Sequence, residues 1–204
     1  MTPEWLFFDV GSTLVDESAA YDHRLKDMLA GTGLRFEEVD QMRTQFAAQG
    51  LDGNAEVIRF FNLKKTPWPS GDEVPLADAE DTLRYLKERG YKLGILANQA
   101  PGTADRLENW GLLQYFDFVA ASAELGVKKP DPAIFKKALA MAGCKAVDAV
   151  MIGDRLDNDI IPAKALGMQT VWIRNGLAAC QCVDLENNVA DHIIERLSAL
   201  TRIF

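Results

Sequence analysis

The chain has 204 residues, 48% of them hydrophobic and 25% charged, which is enough to bury the core of one domain with room for a modest insertion. Its net charge of -8 argues against a protein that grips nucleic-acid phosphates, because such binding needs Lys and Arg in excess. No run approaches the roughly 18 apolar residues of a membrane span, so we expect a small-molecule partner, no nucleic acid and no membrane.

The cysteines and the amino-terminal segment bear on the cellular compartment. Cys144, Cys180 and Cys182 do not form a disulfide framework in a chain of this length, and no second ligand cluster accompanies the last two. We therefore expect neutral or structural thiols. Glu4 lies near the start and no basic segment precedes an apolar run, so a cytoplasmic protein is the default. We expect a monomer or a weak dimer.

The first predicted element is a buried strand that ends in a carboxylate. The apolar run Trp5–Phe8 is followed directly by Asp9 and then by the small residues Gly11, Ser12 and Thr13. A carboxylate at the carboxyl end of a strand, beside residues whose N–H groups can turn inward, can present a nucleophile to an anionic substrate. This segment therefore predicts a catalytic site.

Residues 16–75 predict a helical subdomain inserted after the first strand. Helical patterns cover residues 20–29, 36–49 and 55–61, a turn-rich stretch follows at 66–71, and no strand is evident. We expect this cap to cover the strand ends where ligands bind. Its candidates for substrate selection are the charged and aromatic side chains His23, Arg43, Arg59, Lys64, Lys65 and Trp68.

The rest of the chain alternates helices with short apolar runs, which is typical of a doubly wound, Rossmann-like α/β fold with a parallel sheet. Strands are predicted at residues 91–96, 118–121, 149–152 and 170–173, with a further one near 192–194. Helices are predicted at residues 78–89, 103–110 and 158–166, each before a glycine, and another opens at Asp131 and Pro132. Residues 1–15 and 76–204 would form this core.

A second strand also ends in a carboxylate. Asp154 follows the predicted strand at 149–152, and Asp159 lies one turn further on. If this strand neighbours the first, Asp9 and Asp154 would lie side by side and suit Mg²⁺, a hard cation that prefers oxygen ligands. Alternatively, Asp154 and Asp159 cap the following helix. Lys129, in an extended loop before a proline, would place a cation at the same edge of the sheet.

These segments resemble the haloacid dehalogenase (HAD) superfamily of phosphatase-like hydrolases. Its first motif, Asp-x-Asp-Gly-Thr-Leu, resembles residues 9–14, and its lysine motif resembles residues 129–132. Its acidic motif, Gly-Asp-x-x-x-Asn-Asp, resembles residues 153–159. The three motifs occur in the family's order, and a helical insertion after the first motif resembles the family's C1 cap.

The resemblance implies a role for each of these residues. Asp9 would attack phosphorus and form an aspartyl-phosphate, which water then hydrolyses. Asp9, the backbone carbonyl of Gly11 and Asp154 would hold Mg²⁺. Lys129 would balance the charge on the nucleophile and the phosphoryl oxygens, and Asp159 would orient Lys129 or the waters of the metal. The remaining substrate-binding candidates are Ser12, Thr13 and Asn98.

Two positions depart from the family pattern. Gly11 stands where a phosphatase usually has an aspartate that protonates the leaving group, a contribution of typically ~10² to 10⁴ in rate. Ala97 stands where a Ser or Thr usually binds a phosphoryl oxygen, with Asn98 next. Asp16, or Glu17 beside it, could swing towards the leaving oxygen as the cap closes, although a hinge or helix-cap role for Asp16 is favoured.

Three functions agree with these observations. The first is a Mg²⁺-dependent phosphomonoesterase for a small metabolite. The second is a catalytically impaired, phosphate-binding regulatory protein. The third is other chemistry on the same nucleophile, such as dehalogenation or cleavage of a carbon–phosphorus bond; Asp154 argues against dehalogenation, which uses no metal. The sequence does not name the substrate.

Overall fold

The architecture is a parallel sheet with helices on both faces. The computed structural model describes residues 3–181 and 189–204. Cys182, for which we expect a neutral or structural thiol, lies outside the described residues. The sheet has six strands, β1 (Trp5–Phe8), β4 (Lys92–Ala97), β5 (Phe118–Ala121), β6 (Ala149–Gly153), β7 (Gln169–Ile173) and β8 (His192–Ile194). They pair in the order β5-β4-β1-β6-β7-β8, and every pairing is parallel. The predicted α/β class is confirmed, including the further strand near residue 192.

Two more strands correct the prediction that residues 16–75 contain no strand. β2 (Val15–Asp16) and β3 (Val74–Pro75) form an antiparallel pair outside the main sheet. With two residues each, they are too short to give an alternating sequence pattern, so no periodicity could predict them. They bracket residues 17–73, which we call the helical insertion. Its three helices are α1 (Ser18–Leu29), α2 (Phe36–Ala48) and α3 (Gly53–Phe60).

The helices of the sheet region mostly begin and end near the predicted residues. They are α4 (Ala79–Glu88), α5 (Thr103–Asn109), α6 (Ser122–Leu125), α7 (Pro132–Ala142) and α8 (Ile161–Ala165). The side chain of Asp131 accepts a hydrogen bond from the Ala133 N–H and caps α7, with Pro132 in the first turn. A proline at this position loses no hydrogen bond, because the first helical N–H groups have no partner within the helix.

The helix predicted at residues 158–166 starts differently. Residues Leu156–Ile160 form a π-helical turn, in which the Ile160 N–H donates to the Arg155 carbonyl at 3.3 Å, and α8 proper begins at Ile161. Pro162 has no N–H to donate to the preceding turn, so a regular α-helix cannot run unbroken through this segment. The wider turn carries Asp159 back against the end of β6.

Burial on both faces explains why the central strands read as continuous apolar runs. All four residues of β1 and all five of β6 are buried. Such strands leave no polar side chain inside the sheet, so the polar chemistry lies just beyond their carboxyl ends. Within the described residues, no helix is both long and apolar enough to cross a membrane.

Candidate active site

The sheet order places two carboxylates at neighbouring strand ends. β6 is paired directly with β1, and the Asp9 N–H donates to the Ile152 carbonyl at 2.9 Å. Asp9 and Asp154 therefore leave the sheet side by side. On the other side of β1, β4 ends at Ala97 and is followed by Asn98. The residues quoted for three separated motifs meet at this edge.

Lys129 joins two of the carboxylates. Its Nζ donates to Asp9 Oδ1 at 2.8 Å and to Asp159 Oδ1 at 2.5 Å, and its side chain is fully buried. Burial alone lowers the pKa of Lys129, but the carboxylates of Asp159 and Asp9 outweigh it and raise the pKa. The ammonium group therefore keeps its charge and fixes the orientation of Asp9.

The carboxylates outnumber the lysine. One oxygen each from Asp9, Asp154 and Asp159 lie within 4.8 Å of one another. Burial, followed by the neighbouring Asp159 and Asp9, raises the pKa of Asp154 well above its usual range. Burial also raises the pKa of Asp159 to about 6, against the opposing effect of Lys129. With a single ammonium group beside them, two buried carboxylates and the partly exposed Asp9 suit a divalent cation.

Asp159 is held from both sides. While Oδ1 accepts from Lys129, Oδ2 accepts from the Arg155 N–H at 3.0 Å. A β-carbon added to Gly153 would lie 2.6 Å from the Asp159 Cβ, so the glycine makes room for this carboxylate. The π-helical turn and the glycine together direct Asp159 to Lys129, and its orienting role in the reaction stays a prediction.

Asn98 contacts the lysine loop. Its Oδ1 accepts from the Lys129 N–H at 2.7 Å, and its Nδ2 donates to the Lys129 carbonyl at 2.8 Å. This pair of bonds fastens the loop of Lys129 to the end of β4. Asn98 also lines the cavity described below, and its role in binding substrate stays a prediction.

Ser12 and Thr13 differ in their access to the site. Ser12 lines the cavity and has a left-handed backbone with φ of 53°, and its N–H donates to the Val15 carbonyl at 2.7 Å. Thr13 is fully buried, and its hydroxyl has no hydrogen-bond partner among the described residues. The geometry therefore favours Ser12 over Thr13 as a group that faces substrate.

A cavity of about 430 Å³ opens over the carboxylates. The sheet edge supplies Asp9, Gly11 and Asp154, and the helical insertion supplies Tyr21 and Arg43 among others. The volume lies within the usual range for small-molecule sites. Residues of the insertion and residues of the strand ends thus line the same cavity.

Of the six candidates for substrate selection, Arg43 is the one found among the described lining residues. It is mostly buried and pairs with Asp22 at 2.7 Å and with Asp40 at 2.5 Å, so its charge is already compensated. His23 pairs with Asp72, and Trp68 stacks edge-on against Tyr21. The other three candidates, Arg59, Lys64 and Lys65, are exposed.

The sequence profile of a family described as haloacid dehalogenase-like hydrolase matches residues 6–173. The chain belongs to this HAD-like family. A glyceraldehyde 3-phosphate phosphatase of Pyrococcus furiosus is 40% identical over 151 residues, which cover 73% of this chain and 60% of that protein. Another of that name, from Methanothermobacter thermautotrophicus, is 30% identical over 226 residues, covering 97% of this chain and 98% of that protein.

A solved structure agrees with the family assignment. The crystal structure of a HAD phosphatase from Thermococcus onnurineus superposes on this chain with a TM-score of 0.69 at 26% identity, covering 100% of this chain and 97% of that one. The resemblance drawn from the three motifs is therefore confirmed. The roles assigned to individual residues of this HAD-like hydrolase stay predictions.

Glu17 is a site residue that the sequence named only as an alternative to Asp16. It is 7% exposed, lines the cavity and follows β2 at the start of the helical insertion. Burial, then the charges of Asp9 and Glu73, raise the pKa of Glu17 to about 8, although a hydrogen bond from Gln99 lowers it. Asp16, the other residue named for this movement and favoured as a hinge or helix-cap residue, is exposed and accepts from the Ser18 N–H at 2.9 Å.

A network of hydrogen bonds fixes the polar side chains that surround Glu17. Buried Glu73 accepts from Trp68 Nε1 at 2.8 Å and from Arg106 Nη1 at 3.2 Å, and Arg106 Nη2 donates to Gln99 Oε1. With its oxygen occupied by Arg106, the Gln99 amide presents its NH₂ group to Glu17. These residues come from three separate segments, at residue 17, residues 68–73 and residues 99–106, and belong to no motif, so nothing in the sequence brought the segments together.

Proposed function

We propose that this HAD-like hydrolase is a Mg²⁺-dependent phosphomonoesterase for a small phosphorylated metabolite, acting through an aspartyl-phosphate on Asp9. The observation that carries the proposal is the position of Asp9. It stands at the end of β1, in a cavity of about 430 Å³, with Lys129 Nζ 2.8 Å from its Oδ1. This arrangement fits a nucleophile that must approach an anionic group.

In the first half of the reaction, each side chain of the site has its own role. An oxygen of Asp9 attacks phosphorus, and the bond from phosphorus to the leaving oxygen breaks. Lys129 keeps Asp9 in place and offsets negative charge as the phosphoryl group arrives. Asp159 and Asn98 hold Lys129 through its ammonium group and its main chain respectively. Such positioning and charge compensation account for most of the catalysis of phosphoryl transfer.

The donor set fits a hard divalent cation. Asp9, Asp154 and the Gly11 carbonyl would hold Mg²⁺, as oxygen ligands near a phosphate do elsewhere. When bound, the cation would draw negative charge from the phosphoryl oxygens. Support comes from the closeness of Asp9 to Asp154 and from the raised pKa of Asp154, since a cation would relieve this repulsion.

The relatives suggest which substrates to test first. The two relatives described above are named glyceraldehyde 3-phosphate phosphatase, and a Thermus thermophilus protein, 36% identical over 101 residues, is named phosphoserine phosphatase. Both names specify a three-carbon phosphate. The cavity is large enough for such a molecule, so we infer a substrate of this size.

A panel of phosphorylated metabolites tests this function. With Mg²⁺ present, we expect phosphate release from at least one three-carbon phosphate, and at least a 10³-fold loss in Asp9→Asn, because the amide keeps the shape but cannot attack phosphorus. Asp148→Asn, at the opposite end of β6, is the control and should retain activity. Phosphate binding without turnover would favour the regulatory alternative, and activity of Asp9→Asn within tenfold of the parent would contradict the covalent mechanism.

A further inference from the structure

The absence of a side chain at Gly11 has a steric explanation. Gly11 is not among the residues with a positive φ, so its backbone does not require glycine. A β-carbon added there would lie 2.6 Å from Glu17 Cδ and 2.7 Å from Glu17 Oε1, far inside the distance at which atoms can pack. Gly11 is small because the carboxyl group of Glu17 fills the place of its side chain.

The position that a side chain on residue 11 would occupy lies beside the nucleophile Asp9. Gly11 is two residues beyond Asp9, and Asp9, Gly11 and Glu17 all line the same cavity. A side chain on residue 11 would therefore begin where the carboxyl group of Glu17 now stands. The chain delivers a carboxyl group to this position from the start of the helical insertion, six residues further along.

The backbone around Glu17 is fixed on both sides. Before it, Val15 and Asp16 pair with β3. After it, the Tyr21 N–H donates to the Glu17 carbonyl at 2.9 Å in the first turn of α1. Gln99, held by Arg106, hydrogen-bonds the side chain. The position of the Glu17 carboxyl group is therefore set by the backbone between β2 and α1 and by the hydrogen bond from Gln99.

Other carboxyl groups near the cavity are engaged elsewhere. Asp22 pairs with Arg43 at 2.7 Å, and Asp52 pairs with Arg155 at 2.7 Å. Asp16 is exposed and bonded to the Ser18 N–H. Among these groups, Glu17 is the one whose carboxyl group lies against Gly11.

We propose that Glu17 is the proton donor and acceptor of the reaction, in place of a side chain at residue 11. The inference rests on the phosphatase function proposed above. As Asp9 attacks phosphorus and the bond to the leaving oxygen breaks, the carboxyl proton of Glu17 passes to that oxygen. In the second half, the Glu17 carboxylate takes a proton from water, the water oxygen bonds to phosphorus, and the bond between phosphorus and Asp9 breaks. Phosphate leaves, and Glu17 is protonated again.

Glu17→Gln tests the proton transfer with two kinds of substrate. The amide fills the same space but cannot serve as the acid, so turnover of an alkyl phosphate such as glycerol 3-phosphate should fall by ~10² to 10⁴. The 4-nitrophenolate of 4-nitrophenyl phosphate leaves without a proton, so its release in the first turnover, before water attacks the phosphorylated Asp9, should fall less than tenfold. Asp16→Asn is the matched control and should keep the ratio of the two rates within about twofold of the parent.

Moving the carboxyl group provides an independent test. Gly11→Asp alone should lose activity or stability, because its side chain meets Glu17. Gly11→Asp combined with Glu17→Ala clears the space and returns a carboxyl group to it. The double variant should cleave the alkyl phosphate at least tenfold faster than Glu17→Ala alone. Melting temperatures of all variants separate this recovery from an effect on folding.

The possible results separate the two proposals. If the parent cleaves none of the phosphates, the phosphatase function fails. If the parent cleaves them and Glu17→Gln slows the first turnover of both substrates equally, or of neither, the role of Glu17 is overturned. Beryllium fluoride with Mg²⁺ gives a readout without turnover: Glu17→Gln should still form the adduct on Asp9, detectable by mass or ¹⁹F NMR, whereas Asp9→Asn should not. A Glu17→Gln protein that is folded but forms no adduct would indicate a binding role and contradict the proposal.

Discussion

At the scale of single residues, two glycines make room for acidic side chains from elsewhere in the chain. Gly11 leaves space for Glu17 and Gly153 for Asp159. In both places, an added β-carbon would overlap the carboxylic side chain. A glycine in a motif can therefore reflect the position of a distant side chain as well as the needs of its own backbone.

The ion pairs of Lys129 should matter for stability as well as for activity. Lys129→Met leaves buried Asp159 and partly exposed Asp9 without their cation, and removing one partner of a buried pair costs about 3 to 5 kcal/mol. Unfolding in urea without Mg²⁺ would measure the loss. The neighbouring Lys128 is exposed, so Lys128→Met should change the free energy of unfolding by less than about 0.5 kcal/mol. Equal effects of the two substitutions would contradict the importance of the buried pairs.

The metal proposal depends on Asp154. In calorimetry, Mg²⁺ should bind the parent protein, and Asp154→Ala should weaken binding at least tenfold, because one of two carboxylate ligands is lost. Asp148→Ala removes an aspartate from the far end of the same strand and should leave the affinity unchanged. Undiminished binding of Mg²⁺ by Asp154→Ala would show that the cation binds at another site.

At the scale of elements, a carboxylate ties the β8 segment to β7. Asp191, just before β8, accepts from the Thr170 N–H and hydroxyl at 2.8 Å each and from Lys164 at 3.1 Å. Although burial acts the other way, the hydrogen bonds from Thr170 and Lys164 lower the pKa of Asp191. This edge strand has three residues, so such bonds contribute noticeably to its attachment.

The lowered pKa gives this contact a pH dependence. Because the folded pKa lies below the unfolded value of about 3.9, the contribution of Asp191 is present above that value and is lost as the pH falls through the folded pKa. Asp191→Asn should cost about 1 kcal/mol at pH 7, a modest amount because the group is partly exposed, and progressively less towards pH 3. Urea unfolding across this range measures it.

Glu195→Gln is the control for Asp191, since its side chain is 71% exposed and pairs only loosely with Arg174 at 3.5 Å. It should change the free energy of unfolding by less than about 0.5 kcal/mol at each pH. A cost for Asp191→Asn that did not decrease with acidity would show that packing, and not the charge, accounts for it.

At the scale of the whole molecule, an ion pair joins the sheet edge to the helical insertion across the cavity. Arg155 follows β6 and pairs with Asp52 in the insertion at 2.7 Å and with Asp157 beside it at 2.6 Å. Asp52 also caps α3 by accepting from the Ala55 N–H at 3.0 Å. The same carboxylate thus fixes the start of a helix and connects the two sides of the cavity.

Asp52→Asn should loosen this connection without removing the cap, because asparagine caps helices as well as aspartate does. Amide hydrogen exchange of α3 should speed up by about two- to fivefold, which corresponds to the modest energy of a partly exposed ion pair. Asp157→Asn removes the other partner of Arg155 and leaves the connection in place, so α3 should exchange as in the parent. Identical exchange in both variants would show that the pair does not hold the insertion.

The sequence by itself determined much of this protein. The apolar runs of β1 and β6 indicate a buried parallel sheet because both faces are covered, and the carboxylates of Asp9 and Asp154 follow those strands directly. Lys129 could be assigned to the same edge since its loop follows β5. Local patterns are sufficient here because each of these residues is tied to the end of one strand.

Only the tertiary structure decided which other side chains reach the site. Glu17 and Glu73 are the first and last residues of the helical insertion, and Arg106 lies in α5, so their meeting depends on how the insertion folds back over the sheet. The short pair of β2 and β3 sets that path, and two residues per strand give no periodic pattern. The sequence shows that Gly11 lacks a side chain; the fold shows that the carboxyl group of Glu17 occupies its place, because steric contact between separated residues is a property of packing and not of local order.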